Sequence, residues 1–141
     1  MLREDQPASL APQPQLSDLP ALVDAARQSG IAVDLSVPSA IGDVPSGVEL
    51  CAYRIVQEAL SNAGRHAPGA AVTVSVDRDA GAVLLRVANG AGGPARNGHE
   101  PGHGLTGMRE RVALLGGSLS AGPAADGGFV VSAVLPLAEA T

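Results

Sequence analysis

Residues 51–66, Cys-Ala-Tyr-Arg-Ile-Val-Gln-Glu-Ala-Leu-Ser-Asn-Ala-Gly-Arg-His, constrain this chain more than any other stretch. Ala52, Ile55, Val56, Ala59, Leu60 and Ala63 recur at steps of three and four, the spacing that puts one face of a helix into a core. Arg54, Glu58, Asn62 and His66 follow at steps of four, which lays a cation, a carboxylate, a carboxamide and an imidazole along a second line of the same helix. A face that met only solvent would more often carry Lys and Glu pairs. A neutral Asn in mid-helix forgoes helix propensity, and that points to a use for its side chain.

The rest of the chain supplies what such a helix can lie against. Residues 1–15, rich in Pro, Gln and Ala without periodicity, read as a linker or extended arm and as the opening of a piece of a longer protein. Ser17 is the expected N-cap of a short helix with Asp18 and Pro20 in its first turn, Leu19, Leu22, Val23 and Ala26 on one face, and Gly30 as its stop. Ile31, Val33, Leu35 and Val37 alternate with smaller or polar residues, the period of a strand that Pro38 ends. A Pro- and Gly-containing loop over residues 39–47 leads to the central helix, which Ala67-Pro68-Gly69 closes. Val72, Val74 and Val76, then Val83, Leu85 and Val87, alternate about an Ala80-Gly81 turn and predict a hairpin.

Residues 89–103 are dense in Gly and Pro, too long for a tight turn, and read as a functional loop, a lid. Leu105, Met108, Val112 and Leu115 mark a third helix ended by Gly116-Gly117, and two strands follow, residues 118–121 and 129–135. The order predicts an α+β fold: a two-layer α/β sandwich with a mixed five-stranded sheet and three helices on one face, one domain over residues 16–141.

Composition excludes several function classes. Aromatic residues are 1% of a chain that is 45% hydrophobic, so the core is built of Ala, Val, Leu and Ile, with Tyr53 and Phe129 its only rings. A formal charge of −5 and the lack of a basic stripe argue against a nucleic-acid partner. No apolar run is long enough to span a bilayer, so no direct membrane contact is expected. Cys51 is the single cysteine and reads as a small buried hydrophobe, and no Cys/His cluster has zinc spacing.

Gly102-His103-Gly104-Leu105-Thr106-Gly107 satisfies G-x-G-x-x-G, but it follows a loop rather than a strand and opens no βαβ unit, so a dinucleotide fold is rejected. No G-x-x-x-x-G-K-[ST] occurs, which excludes a P-loop. What remains is a glycine-rich start to a helix, where bare N–H groups and the dipole can receive phosphate.

Tyr53 to Ala63, closing on Arg65-His66-Ala67, resembles the N box of the ATP-binding domain of bacterial sensor histidine kinases, in the branch that works with nitrate-regulator-type response regulators. This branch lies in the wider group of gyrase, Hsp90 chaperones and MutL. Gly102-His103-Gly104-Leu105-Thr106-Gly107-Met108-Arg109-Glu110-Arg111 resembles the family's glycine box almost letter for letter. The resemblance implies ATP and Mg2+ as cofactors. Asn62 would bind the metal and also the nucleotide, Glu58 would act as the catalytic base or orienting group, and Arg65 and His66 would meet the phosphates. Asn89 and Gly93 would lie at the base, and Gly102, His103, Gly104, Leu105, Thr106, Gly107 and Met108 would close over ATP. It further implies a cytoplasmic domain that transfers the γ-phosphoryl group to a histidine on a separate dimerisation domain, with a cognate response regulator downstream. The full-length protein could be membrane-anchored.

Two features depart from the pattern. The family has Asp-x-Gly-x-Gly where this chain has Asn89-Gly90-Ala91-Gly92-Gly93, so a charged acceptor for the adenine amine, worth about 1.5–3 kcal/mol, becomes a neutral one. The acceptor histidine of this branch is followed by an acidic residue on a helix. Only His99-Glu100 has that dipeptide here, without a helical frame, so the segment carrying the acceptor is expected outside this chain. An anti-sigma-factor-type serine kinase and a catalytically degenerate nucleotide-binding or interaction module remain as alternatives.

Overall fold

The computed structural model describes residues 13–91 and 103–137. A 3-10 turn (Leu16–Asp18) runs into α1 (Leu19–Gln28), followed by β1 (Ala32–Ser36), α2 (Ser46–His66), β2 (Ala71–Arg78), β3 (Ala82–Asn89), α3 (His103–Leu114), β4 (Ser118–Pro123) and β5 (Phe129–Pro136). The strands form one sheet in the order β1-β2-β3-β5-β4, with β1 parallel to β2 and the other pairs antiparallel. This is the mixed five-stranded sheet that the alternation predicts.

Period two decides which face is covered. Val72, Val74 and Val76 of β2, Val83, Leu85 and Val87 of β3, and Val131, Ala133 and Leu135 of β5 are buried beneath the helices. Ile55, Val56, Ala59 and Leu60 of α2 press on them, joined by Leu19 and Val23 of α1 and by Leu105 and Val112 of α3. Burying each such side chain contributes about 1.5–3 kcal/mol, and with small aliphatics the core gains its stability from many close contacts rather than from rings. Tyr53 and Phe129 only border it.

Local details refine three expectations. Ser17 is not the N-cap. The turn before α1 is held by a reciprocal pair between Gln15 and Asp18, in which the Gln15 N–H donates to the Asp18 carboxylate at 2.8 Å, and the Ser17 hydroxyl bonds only to the Gln15 side chain. The loop before α2 ends earlier than residue 47, because Pro45 caps a helix that begins at Ser46 and takes Gly47 into its first turn. Glu49 in that turn accepts from the Leu16 N–H at 3.2 Å, tying the chain's first turn to the central helix. The hairpin turn is where it was expected, organised by Asp79, whose Oδ1 accepts from the N–H groups of Gly81 and Ala82, each at 2.8 Å.

Gly116 ends α3 at φ +85°, the left-handed conformation that a glycine takes without a Cβ clash. Among the described residues no helix is long and apolar enough to cross a membrane. The arm over residues 1–15 lies outside the described residues except at its last three positions, as do Gly93, Gly102, His99-Glu100 and all but the ends of the residue 89–103 loop.

Candidate functional site

A helix advances 3.6 residues per turn, so a line of residues four apart winds about the axis by roughly 40° at each step, about 120° over three steps. That winding decides the fate of the polar line on α2. Arg54, at its start, is exposed and donates to Gln57 at 2.9 Å, over a groove shared with Cys51, Met108, Arg111 and Leu115. Asn62, two steps on, has turned into the fold and is 6% exposed, the one buried polar residue among those described. His66, a further step along, lines the same cavity as Asn62.

That cavity, of about 320 Å3, opens between the C-terminal half of α2 and the ends of β3, β4 and β5. Ala59, Asn62, Ala63, His66 and Ala67 form its helical wall; Val87, Asn89, Ala91, Pro123, Phe129 and Val131 belong to the strand side, with Gly127 and Gly128 at the rim. The lining is small and apolar with a few polar groups converging on it, the usual character of a small-molecule site. Small residues on α2 and just past its end make the space: each of Ala59, Ala63 and Ala67 stands where a longer side chain would fill it.

Strand pairing explains why residues far apart in the chain meet here. Asn89 ends β3 opposite Phe129, and Phe129 is opposite Pro123, so the ends of three strands form one wall. Gly128 is required by this approach: a Cβ there would stand 1.9 Å from the Asn89 carbonyl oxygen. The Gly127-Gly128-Phe129 segment, which resembles the last glycine element of the sensor histidine kinases and reads equally as a tight turn between strands, lines the cavity. The Asn89 carboxamide is oriented too, since its Nδ2 donates to the Gly90 carbonyl at 2.9 Å and leaves Oδ1 as an acceptor.

Asn62 has an unusual environment. Its Oδ1 accepts from an Arg65 guanidinium nitrogen at 2.6 Å, and the same nitrogen is 4.0 Å from Glu58 Oε2. Its Nδ2 is buried without a hydrogen-bond partner. An orphaned buried donor costs about 1–3 kcal/mol, so native folds rarely keep one without a reason. Glu58 and Asn62, one turn apart, thus offer two oxygens that already attract a cation. Among the described residues no three His, Cys, Asp or Glu side chains gather for a metal, but magnesium takes only one or two protein ligands and fits this pair.

The glycine box opens a helix, as its glycine-rich pattern implies. His103 and Gly104 are already helical, and Thr106, Gly107 and Met108 continue the first turns of α3. Leu105 is 2% exposed within the core, and Met108 lines the groove beside Cys51 rather than the cavity. Burial raises the Cys51 thiol above its ordinary value, with Arg111 opposing in part.

Residues 47–139 match the family described as Histidine kinase-, DNA gyrase B-, and HSP90-like ATPase. The chain is 36% identical over 96 residues to the sensor protein VraS of Staphylococcus epidermidis, covering 67% of this chain and 28% of that protein. It is 40% identical over 68 residues to the signal transduction histidine-protein kinase/phosphatase UhpB of Salmonella typhimurium, covering 48% of this chain and 14% of that one. Its fold is like that of the blue-light activated histidine kinase of Erythrobacter litoralis EL346, with a TM-score of 0.69 at 23% identity, covering 88% of this chain and 42% of the other. The chain spans about a quarter or less of the length of these curated relatives. Motif order, sheet topology and family match agree, and the chain belongs to the histidine kinase-, gyrase B- and HSP90-like ATPases as a catalytic domain of the sensor histidine kinase type.

Proposed function

We propose that this domain binds Mg-ATP in the cavity beside α2 and donates the γ-phosphoryl group to a histidine on a separate dimerisation domain of a two-component kinase, whose cognate response regulator then receives it. The observation that carries the proposal is Asn62: a 6%-exposed carboxamide on a cavity wall, with one group unpartnered and the other holding a cation. A residue of that kind serves packing poorly and serves a ligand well.

In this reading the base lies against Val87, Phe129 and Val131, and its exocyclic amine donates to Asn89 Oδ1, the acceptor left free by the bond to Gly90. The apolar walls exclude water from that contact. Asn62 Oδ1 and the Glu58 carboxylate hold the metal. A bound magnesium ion would supply the positive charge that offsets the charge developing on the phosphates during transfer. Glu58 also orients the attacking imidazole and accepts its proton, a role its partly exposed carboxylate can reach. Arg65 and His66, at the end of α2, meet the phosphates. The first turn of α3, over residues 103–106, brings main-chain N–H groups toward the triphosphate, with Leu105 anchoring that helix in the core.

The test supplies radiolabelled ATP and a helical dimerisation domain bearing the acceptor histidine in trans. Acid-labile, alkali-stable label on that domain is expected, lost in Glu58→Ala. Acid-stable label on serine, or no transfer while the added domain accepts phosphate from another kinase of the branch, would contradict it.

A further inference from the structure

We infer that Arg65 is a tethered cation that occupies the metal seat of the nucleotide-free chain, so that guanidinium and metal compete for Asn62 Oδ1 and the metal joins together with a triphosphate. This rests on the proposed nucleotide site and adds an order of events to it.

Three contacts place the guanidinium. One nitrogen donates to Asn62 Oδ1 at 2.6 Å and lies 4.0 Å from Glu58 Oε2, while the other donates to the Ser61 hydroxyl at 2.8 Å. The Asn62 and Glu58 oxygens it faces are the pair assigned to the metal. A magnesium ion coordinates oxygen at about 2.0–2.1 Å, so it and the guanidinium nitrogen exclude one another from Oδ1 by both distance and charge.

The same bond sets the direction of the carboxamide. With Nδ2 turned toward Arg65, two donors would face each other, so Arg65 keeps Oδ1 turned to the seat and leaves Nδ2 orphaned. Arg65 is thus a positioning residue before it is a ligand to phosphate. Its side chain is 53% exposed, so it can leave with little loss of packing. A triphosphate is what would draw it off, because phosphate oxygens pair with the guanidinium fork better than one neutral amide does. Oδ1 is then released, already oriented, as the metal arrives on the phosphates.

The test uses the nucleotide-free chain and Mn2+ as the probe, following paramagnetic broadening of the Asn62 side-chain amide resonances. Arg65→Met should be broadened at a Mn2+ concentration about fivefold below that needed for the unsubstituted chain, the factor that corresponds to the loss of one half-exposed bond of about 1 kcal/mol. Arg65→Lys, which keeps the charge without the fork, should fall between them. Equal responses of the unsubstituted chain and Arg65→Met, whether both are broadened or neither, overturn the inference. If the unsubstituted chain still binds Mg-ATP in that case, only the competition fails; if it does not, the nucleotide site fails with it.

Discussion

Asn62→Ala separates a site residue from a structural one, because the two roles predict opposite signs in stability. Removing the carboxamide relieves the orphaned Nδ2, a gain of about 1–3 kcal/mol. Alanine is also the better helix former, by about 0.5 kcal/mol. Against this stands the lost bond from Arg65, whose half-exposed guanidinium keeps water and Ser61 as partners, so that loss is about 1 kcal/mol or less. The void opens into an existing cavity rather than sealing a new one, which limits the packing loss. The balance is a net gain of about 1 kcal/mol, a rise in Tm of roughly 3 °C for a chain of this size. Thermal unfolding without ligand should show that rise, while calorimetry should show magnesium-dependent ATP binding abolished. A Tm lowered by more than about 2 °C, or an unchanged ATP affinity, would refute the assignment of Asn62 to the ligand.

Three further outcomes are expected. Asn89→Asp restores a charged acceptor toward the base and should tighten ATP roughly threefold to tenfold, seen by calorimetry; equal or weaker binding would remove Asn89 from the base contact. Gly128→Ala forces the β5 approach away from Asn89 by about 1 Å or more and should cost about 1–3 kcal/mol of stability together with most nucleotide binding; intact binding would mean the cavity wall is not where the base rests. For Cys51, burial raises the thiol above 9.0, so its contribution to stability is fully present below that pH and is lost as pH climbs through the higher folded value, while the unfolded chain sheds its proton first. Denaturant titrations from pH 8 to pH 10.5 should show a steeper alkaline fall in the unsubstituted chain than in Cys51→Ala, and parallel curves would contradict this.

The fold was legible in the sequence because its signals are local. Period two in Val72-Val74-Val76 and Val83-Leu85-Val87, and period 3.6 through residues 52–63, follow from backbone geometry alone. The polar pair Glu58 and Asn62 was legible for the same reason, being one turn apart. What stayed hidden depends on pairing across the chain. Nothing local says that Asn89 meets Phe129 or that Gly128 lies against the Asn89 carbonyl, since those contacts exist only once β3 and β5 share a ladder. A Gly-Gly pair beside the chain's single Phe was the available hint. The straight polar line drawn from Arg54 to His66 missed the winding that exposes one end and buries the next member but one. Ser17 misled because Gln15 and Asp18, three apart, made a better reciprocal pair than the hydroxyl between them.

If the space beside Asn62 receives metal-bound ATP, nucleotide affinity depends on the metal. Calorimetric titration of the chain with ATP, with magnesium present and then with the metal chelated, tests it most directly. Saturable binding of one nucleotide that weakens at least about tenfold without the metal is the expected result. Heats of dilution alone, or equal affinity with and without magnesium, would contradict it.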